Sequence, residues 1–186
     1  MKRYINIGLS IAMLIVSGCG FYSMAGSIPP HIKSISIPLV NNQTAEFGIA
    51  EDITDNIIEV FTEENILRIV DPDNADSILN GIIIKMDDAP YTFNSAEAVS
   101  EYRITITMDI NWHDVKNDVD LLTKRYTGWG AYGLTGDINT DGIDNDGDGK
   151  IDADDDDEFG EPREFATKIA ITKIAEDIVN NILTAW

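Results

Sequence analysis

The sequence contains few cysteine, histidine and basic residues. It has one cysteine and two histidines in 186 residues, and 13 Lys and Arg against 33 Asp and Glu give a formal net charge of −20. Because His31 and His113 have no second histidine or cysteine at the spacing of a metal site, we expect both to be ordinary surface residues. Nucleic-acid binding needs clustered bases along the phosphate backbone, and the longest basic run after the N-terminus is Lys124-Arg125. The composition therefore argues against a nucleic-acid partner.

Sequence motifs of the common enzyme classes are also missing. There is no Gly-x-Ser-x-Gly elbow, no glycine-rich phosphate loop and no His-Glu-x-x-His motif. Asp87 and Asp88 are adjacent carboxylates, but neighbours in a strand point to opposite sides, so turn formation is the better explanation. Trp112, Trp129 and Trp186 are expected in the core or as caps rather than as a ligand platform. We predict that the protein is not an enzyme.

The first 18 residues have the pattern of a lipoprotein signal peptide. A basic start precedes an apolar run, residues 5–16, which is short for a membrane span and typical of a secretory signal core. Ser17 and Gly18 then precede Cys19, and small residues before a cysteine resemble the lipobox of bacterial lipoproteins. In that motif the cysteine receives a diacylglycerol and the signal is cleaved before it. The alternative is an ordinary signal peptide with a cysteine near its end.

Lipidation would also explain the single cysteine, since a lone thiol in an oxidising compartment has no disulfide partner. Several acyl chains give durable membrane anchoring where one chain does not. Gly20 follows the anchor where an aspartate would retain the protein at the inner membrane, which favours the outer membrane and a body facing the periplasm. We expect residues 19–30 to be an extended tether, because Pro29 and Pro30 forbid a helix.

A half-buried strand at residues 101–113 is the clearest structural prediction. Apolar residues alternate with polar ones over six steps, which fits a strand with one buried face and not a helix. The inner set is Tyr102, Ile104, Ile106, Met108, Ile110 and Trp112, and the outer set is Arg103, Thr105, Thr107, Asp109, Asn111 and His113. Such a strand requires an apolar layer over its inner face.

Two amphipathic helices can supply that layer. Apolar residues recur at three- and four-residue intervals over about 49–63 and again over about 164–183. Further strands are predicted at 31–40, with incomplete pairing at Pro38, and at 66–70, 77–86 and 121–129, with turns or loops at 87–90 and 91–100. The sequence thus predicts one α+β domain, residues 31–186, in which two helices pack on one face of a four- to five-stranded mixed sheet and the other face stays open.

An acidic segment interrupts this domain at residues 137–163. Residues 137–161 contain twelve acidic side chains and one base, for a net charge of −11. From Asp144 the spacing matches a twelve-position calcium loop, because carboxylates alternate up to a glycine that permits the sharp turn. The predicted ligands are Asp144, Asp146, Asp148, the backbone carbonyl of Lys150, Asp152 and Asp155, with Gly149 at the turn. A solvated, disordered acidic loop is the alternative.

Taken in order, several short stretches resemble the LptE family of lipopolysaccharide-assembly lipoproteins. The matching residues are Cys19, Gly20, Tyr22 and Ser23, then Ser27 to Pro30, Lys33, the 34–37 strand, the 68–71 strand end, the 75–81 strand entry, Tyr102 to Thr107, and the closing helix that ends in Trp186. The stretch 137–163 departs from the family, and no motif places the basic residues proposed to touch lipopolysaccharide.

The resemblance implies a non-catalytic, lipid-anchored outer-membrane protein that plugs a β-barrel, LptD, and assists lipopolysaccharide insertion at the cell surface. If the acidic segment lay at the sheet end inside the barrel, it could chelate the calcium that bridges lipopolysaccharide phosphates. The alternative function is a calcium-stabilised periplasmic or surface scaffold lipoprotein without a barrel partner.

Overall fold

The computed structural model describes residues 28–133, 149–150 and 161–184. The strands are β1 (Ser34–Ser36), β2 (Asn41–Asn42), β3 (Arg68–Ile69), β4 (Ser77–Phe93), β5 (Val99–Asp114) and β6 (Val119–Gly133), and the helices are α1 (Ile49–Glu64) and α2 (Pro162–Thr184). A short 3-10 turn at Pro72–Asn74 precedes β4. The predicted signal peptide at 1–18 and most of the 19–30 tether and of the 137–163 segment lie outside the described residues.

The six strands form one mixed sheet in the order β3-β1-β4-β5-β6, with β2 also pairing with β4. The pairs β1 with β3, β1 with β4 and β2 with β4 are parallel, while β4, β5 and β6 form an antiparallel meander. Side chains from both helices and from the inner face of the sheet belong to one hydrophobic core. The predicted α+β class with two helices and a mixed sheet is confirmed.

Strand β5 is the centre of this core. Its inward side chains from Ile104 to Trp112 are at most 1% exposed, and the residues between them are partly exposed. The alternation predicted for 101–113 is therefore confirmed, because a pleated strand sends successive side chains to opposite faces. Trp112 is wholly buried, as expected for a core residue.

The predicted first strand is split in two around Pro38. Strands β1 and β2 both lie beside β4, and the residues between them leave the ladder. Proline has no N–H to donate, so a break is expected there. The N–H of Val40, past the break, donates instead to Oγ1 of Thr54 on α1 at 3.0 Å. This split is why the sheet has six strands where the sequence predicted up to five.

The turn and loop predicted for residues 87–100 were wrong. Strand β4 continues to Phe93, and Asp88 and Pro90 pair with Ile104 and Tyr102 on β5. Shifts in register after Ile83 and after Pro90 absorb the irregular residues, as β-bulges do. The long partner strand therefore overrides the local turn propensity of the Asp-Asp-Ala-Pro stretch, and the connection shrinks to residues 94–98.

Helix α2 lies unusually close to strand β6. A Cβ placed on Gly128 would lie 2.2 Å from the carbonyl oxygen of Ala170, and one placed on Gly130 would lie 2.0 Å from that of Ala166. The two strand glycines face two helix alanines, and both alanines are fully buried. The absence of side chains on the strand thus lets the helix backbone approach the sheet directly.

Candidate functional site

The sheet face opposite the helices is open. The outward side chains of β5 and β6 are polar or partly exposed from one end of the strands to the other. Arg125 on β6 binds Asp109 on β5 with Nε–Oδ1 and Nη2–Oδ2 distances of 2.7 and 2.9 Å. This two-point hydrogen bond lowers the pKa of Asp109. An open, hydrogen-bonded face of this kind is available to a ligand or partner.

Two cations and two aromatic rings meet at one end of this face, and we call them the cation–aromatic patch: Tyr91, Arg103, Trp129 and Lys173. The Arg103 guanidinium carbon lies 4.6 Å from the centre of the Tyr91 ring and 5.6 Å from that of Trp129. Lys173 Nζ lies 4.7 Å from the Trp129 ring centre, reaching it from α2 past the edge strand. Both rings are 41% exposed. Aromatic rings attract cations through their electron-rich faces, so the two rings favour these positions of the Arg103 and Lys173 head groups.

The patch concentrates positive charge on a strongly acidic protein. Within the part of the chain that the structure describes, Arg103 and Lys173 form no ion pair with a carboxylate. Their charge therefore remains available to an anionic ligand. Trp129 was predicted to lie in the core or at a cap, and this was wrong because it is 41% exposed on the open face; the patch itself was not predicted. Trp129 pairs with Thr105, which belongs to the outward set of β5. The alternation of that strand was the one sequence signal that could have placed Trp129 on the open face.

His31 and Asp114 form a second polar cluster, at the opposite end of the sheet. His31 Nε2 lies 2.6 Å from Oδ2 of Asp114, and Asn117 donates its side-chain N–H to the same oxygen at 2.8 Å. The other oxygen accepts the backbone N–H groups of Lys116 and Asn117. Asp114 is 1% exposed. His31 was predicted to be a surface residue, and its side chain is 26% exposed. Its contact with a buried carboxylate 83 positions away was not predicted.

Asp76 fixes the same end of the sheet from a neighbouring position. Its Oδ2 accepts the backbone N–H groups of Lys33 and Ser34 and the hydroxyl of Ser34. These hydrogen bonds lower the pKa of Asp76 below its ordinary value. Together with Asp114, Asp76 holds residues 31–34 where the chain enters the domain.

Arg163 connects the start of α2 to two distant elements. Its Nη atoms bind the carboxylate of Glu46 at 3.0 and 3.2 Å, and its Nε binds Asp88 at 3.0 Å. The hydrogen bonds that Arg163 donates, to Glu46 first and then to Asp88, raise its pKa. The hydroxyl of Tyr132 also donates to Asp88. The positive charge of Arg163 is thus matched by two carboxylates.

The predicted anchor and most predicted calcium ligands lie outside the described residues: Cys19, Asp144, Asp146, Asp148, Asp152 and Asp155. Lys150 is described and exposed, and Gly149 beside it has φ 93°. Within residues 28–133, 149–150 and 161–184, no group of three or more His, Cys, Asp or Glu side chains could hold a metal ion. Neither described helix is long and apolar enough to cross a membrane.

The model of the LptE family, described as lipopolysaccharide-assembly, matches residues 32–186. The chain belongs to the LptE family. Membership in LptE indicates a membrane-associated lipoprotein with a role in lipopolysaccharide assembly, and the family is non-enzymatic. The resemblance noted from the sequence is thereby confirmed.

Solved structures are similar to this LptE-family chain at low sequence identity, and the first two below, with TM-scores above 0.5, share its fold. A hypothetical protein from Chlamydia trachomatis matches with a TM-score of 0.52 and 9% identity, over 83% of this chain and 99% of its own. A protein from Xanthomonas campestris matches with a TM-score of 0.53 and 9% identity, over 84% and 88%. The rare lipoprotein B from Shewanella oneidensis has a TM-score of 0.46 and 12% identity, over 79% and 92%. No curated protein matches the sequence.

Proposed function

We propose that this protein is a non-catalytic outer-membrane lipoprotein, anchored by lipid on Cys19, that plugs and supports the β-barrel LptD during lipopolysaccharide assembly. The observation that carries the proposal is the LptE-family match across residues 32–186. A plug must be rigid and must present polar surface to a polar lumen. The single core and the open polar sheet face support both requirements.

The cation–aromatic patch is the part of this surface that suits lipopolysaccharide best. Phosphorylated sugars combine negative charge with flat faces that stack on aromatic rings. Arg103 and Lys173 offer the charge, and Tyr91 and Trp129 offer the rings. We place the lipopolysaccharide contact of this proposal there.

Membrane fractionation and affinity purification test the anchor and the partner together. We expect the full-length protein in the outer-membrane fraction, with LptD recovered alongside it after detergent extraction. Cys19→Ala behind a signal peptide that is cleaved without lipidation should move most of the protein to the soluble fraction, because losing all acyl chains removes the anchoring energy. Purified Cys19→Ala protein should still bind LptD when mixed with it, since the body is unchanged.

Two outcomes would count against this function. If the native protein were released in soluble form with an unmodified Cys19, the proposed lipid anchor would be ruled out. Membrane-bound protein that recovers only soluble partners and no barrel would favour the alternative, a calcium-stabilised scaffold lipoprotein.

The acidic segment is proposed to bind calcium through the loop that begins at Asp144. Gly149, at the sixth position of that loop, has φ 93°, the left-handed region that favours glycine and that a sharp turn can use. Extracellular loops of this kind bind calcium with dissociation constants of about 0.1–1 mM. Such binding would order the segment locally and would add no catalytic step.

Calorimetric titration with calcium tests the loop against a control of equal charge. We expect the triple variant Asp144→Asn, Asp146→Asn, Asp148→Asn to weaken binding by about tenfold or more, because three ligand carboxylates lose their charge. The control Asp154→Asn, Asp156→Asn, Asp157→Asn makes the same charge change outside the predicted ligand positions. Equal losses in both variants would mean that calcium only screens a disordered acidic segment.

A further inference from the structure

The chain enters the domain at one end of the sheet, which we call the entry end: His31, Asp76 and Asp114. His31 contacts Asp114, the last residue of β5, and Asp76 lies just before β4 and binds the backbone of residues 33 and 34. Ile28, three positions before His31, already packs against the core. The domain therefore holds the chain from residue 28 onward, and the tether that leads back to Cys19 precedes this point.

The cation–aromatic patch lies at the other end of the sheet, which we call the patch end. Arg103 and Asp114 are eleven positions apart on β5, and a strand rises about 3.4 Å per residue, so about 37 Å separates them. The acidic segment leaves the domain at Gly133, three positions past the contact of β6 with α2 at Gly130, and rejoins it at Pro162, one turn before the same contact. The patch and both junctions of the acidic segment therefore lie at the same end.

The length of the tether limits how far the entry end can lie from the lipid anchor. Ile28 is nine positions after Cys19, and an extended chain spans at most about 3.6 Å per residue, so the tether reaches at most about 32 Å. An anchor in the periplasmic leaflet lies in the lipid outside the barrel, whereas a plug lies inside it. The tether must therefore first pass the barrel wall, which is about 10 Å thick with its side chains.

One orientation of a plug that fills the barrel agrees with this limit, and the inverted one does not. If the entry end lay near the cell surface, the tether would have to cross the hydrocarbon core, about 30 Å thick, in addition to the barrel wall. Nine residues cannot span both distances. With the entry end at the periplasmic mouth the tether has only the wall to pass. The patch then lies about 37 Å further, at the level of the head groups of the outer leaflet.

We propose that the patch end faces the cell surface, where Arg103 and Lys173 contact the phosphorylated head groups of lipopolysaccharide at the outer leaflet. The patch then contacts lipopolysaccharide as it leaves the barrel, and not as it enters from the periplasm. Both junctions of the acidic segment lie at the same mouth of the barrel. This inference rests on the proposed function, because an orientation is defined only for a domain that lies inside a barrel.

Photocross-linking of the full-length protein in intact cells tests the orientation. The photoreactive residue p-benzoylphenylalanine replaces either Ser95, in the β4–β5 turn, or Lys116, in the β5–β6 turn, and both positions are exposed. Outer-membrane barrels have long loops on the cell surface and short turns on the periplasmic side. By mass spectrometry we expect long-loop peptides of LptD from position 95 and short-turn peptides from position 116, each enriched about tenfold or more over the other variant.

The two positions control for each other, because they are exposed turn residues at opposite ends of β5. Short-turn peptides from position 95 with long-loop peptides from position 116 would overturn the orientation, and so would the same peptides from both positions. If LptD were recovered with both variants but neither position cross-linked to it, the domain would lie outside the barrel and the inference would also be wrong. Failure of the native protein to recover LptD would instead contradict the proposed function, so the two failures are distinguishable.

Discussion

Replacing Gly130 with alanine is expected to destabilise the protein by about 3 kcal/mol. The new methyl group would lie 2.0 Å from the carbonyl oxygen of Ala166, and the atoms in its way are backbone. Backbone cannot rotate aside as a side chain can, so α2 must lift from β6 or the strand must bend. Either movement opens the core on that side. Chemical denaturation followed by circular dichroism measures the loss.

Gly81→Ala is the matched comparison. Its added methyl group would meet the ends of the Val40 and Met108 side chains at 3.0 and 3.1 Å, and these ends can shift. We expect a loss of about 1 kcal/mol or less, from mild overpacking. If Gly130→Ala were no more harmful than Gly81→Ala, the close contact of helix and strand would not be a requirement of the fold.

Replacing Asp114 with alanine is expected to cost about 2–3 kcal/mol, because several buried donors lose their acceptor at once. The N–H groups of Lys116 and Asn117, the Asn117 side chain and His31 all bind this carboxylate. Burial by itself would raise the pKa of Asp114, but these hydrogen bonds outweigh it and the pKa lies below its ordinary value. A carboxyl with a lowered folded-state pKa stabilises the fold above its unfolded pKa, near 3.9. That stability is lost as the pH falls through the folded-state pKa.

Unfolding free energy measured from pH 7 down to pH 2 tests both parts of this expectation. The native chain should lose stability steeply below about pH 4. Asp114→Ala should have a lower unfolding free energy at pH 7 and should lose less of it on acidification. Asp118→Asn, in the same turn but 96% exposed, is the control, because asparagine tolerates the left-handed backbone of this position (φ 53°), and it should change neither quantity by much. If Asp114→Ala lost as much unfolding free energy on acidification as the native chain, the acid sensitivity would belong to other carboxylates.

The elements with a strong hydrophobic period could be predicted from the sequence. Both helices fall within a few residues of the predicted bounds, and the alternation in β5 identified the buried face correctly. These predictions succeeded because burial on one face imposes its own period on the residues. The strand break at Pro38 was also foreseeable, since it follows from the missing N–H of proline.

The features that the sequence did not predict all depend on residues far apart in the chain. Strand β4 continues through Asp88 and Pro90 because β5 is there to pair with them, although their local preference is for a turn. His31 meets Asp114, and Lys173 meets the Trp129 ring, only after the sheet and helix have formed. Single-residue propensity contains no information about such partners. The polar clusters therefore became visible only in three dimensions.

Strand β6 and helix α2 contact each other directly, so their packing does not depend on the acidic segment that connects them. The strand ends at Gly133 and the helix starts at Pro162, and the two pack directly through the glycine–alanine contact, while Arg163 ties the start of the helix to Glu46 and to Asp88 on β4. Doubling the length of a flexible connection adds only about 0.6 kcal/mol of closure entropy. The intervening stretch can therefore be lengthened, shortened or exchanged during evolution at little thermodynamic penalty. The end of β6 is thus a position where insertions with new binding properties can arise during evolution while the fold stays unchanged.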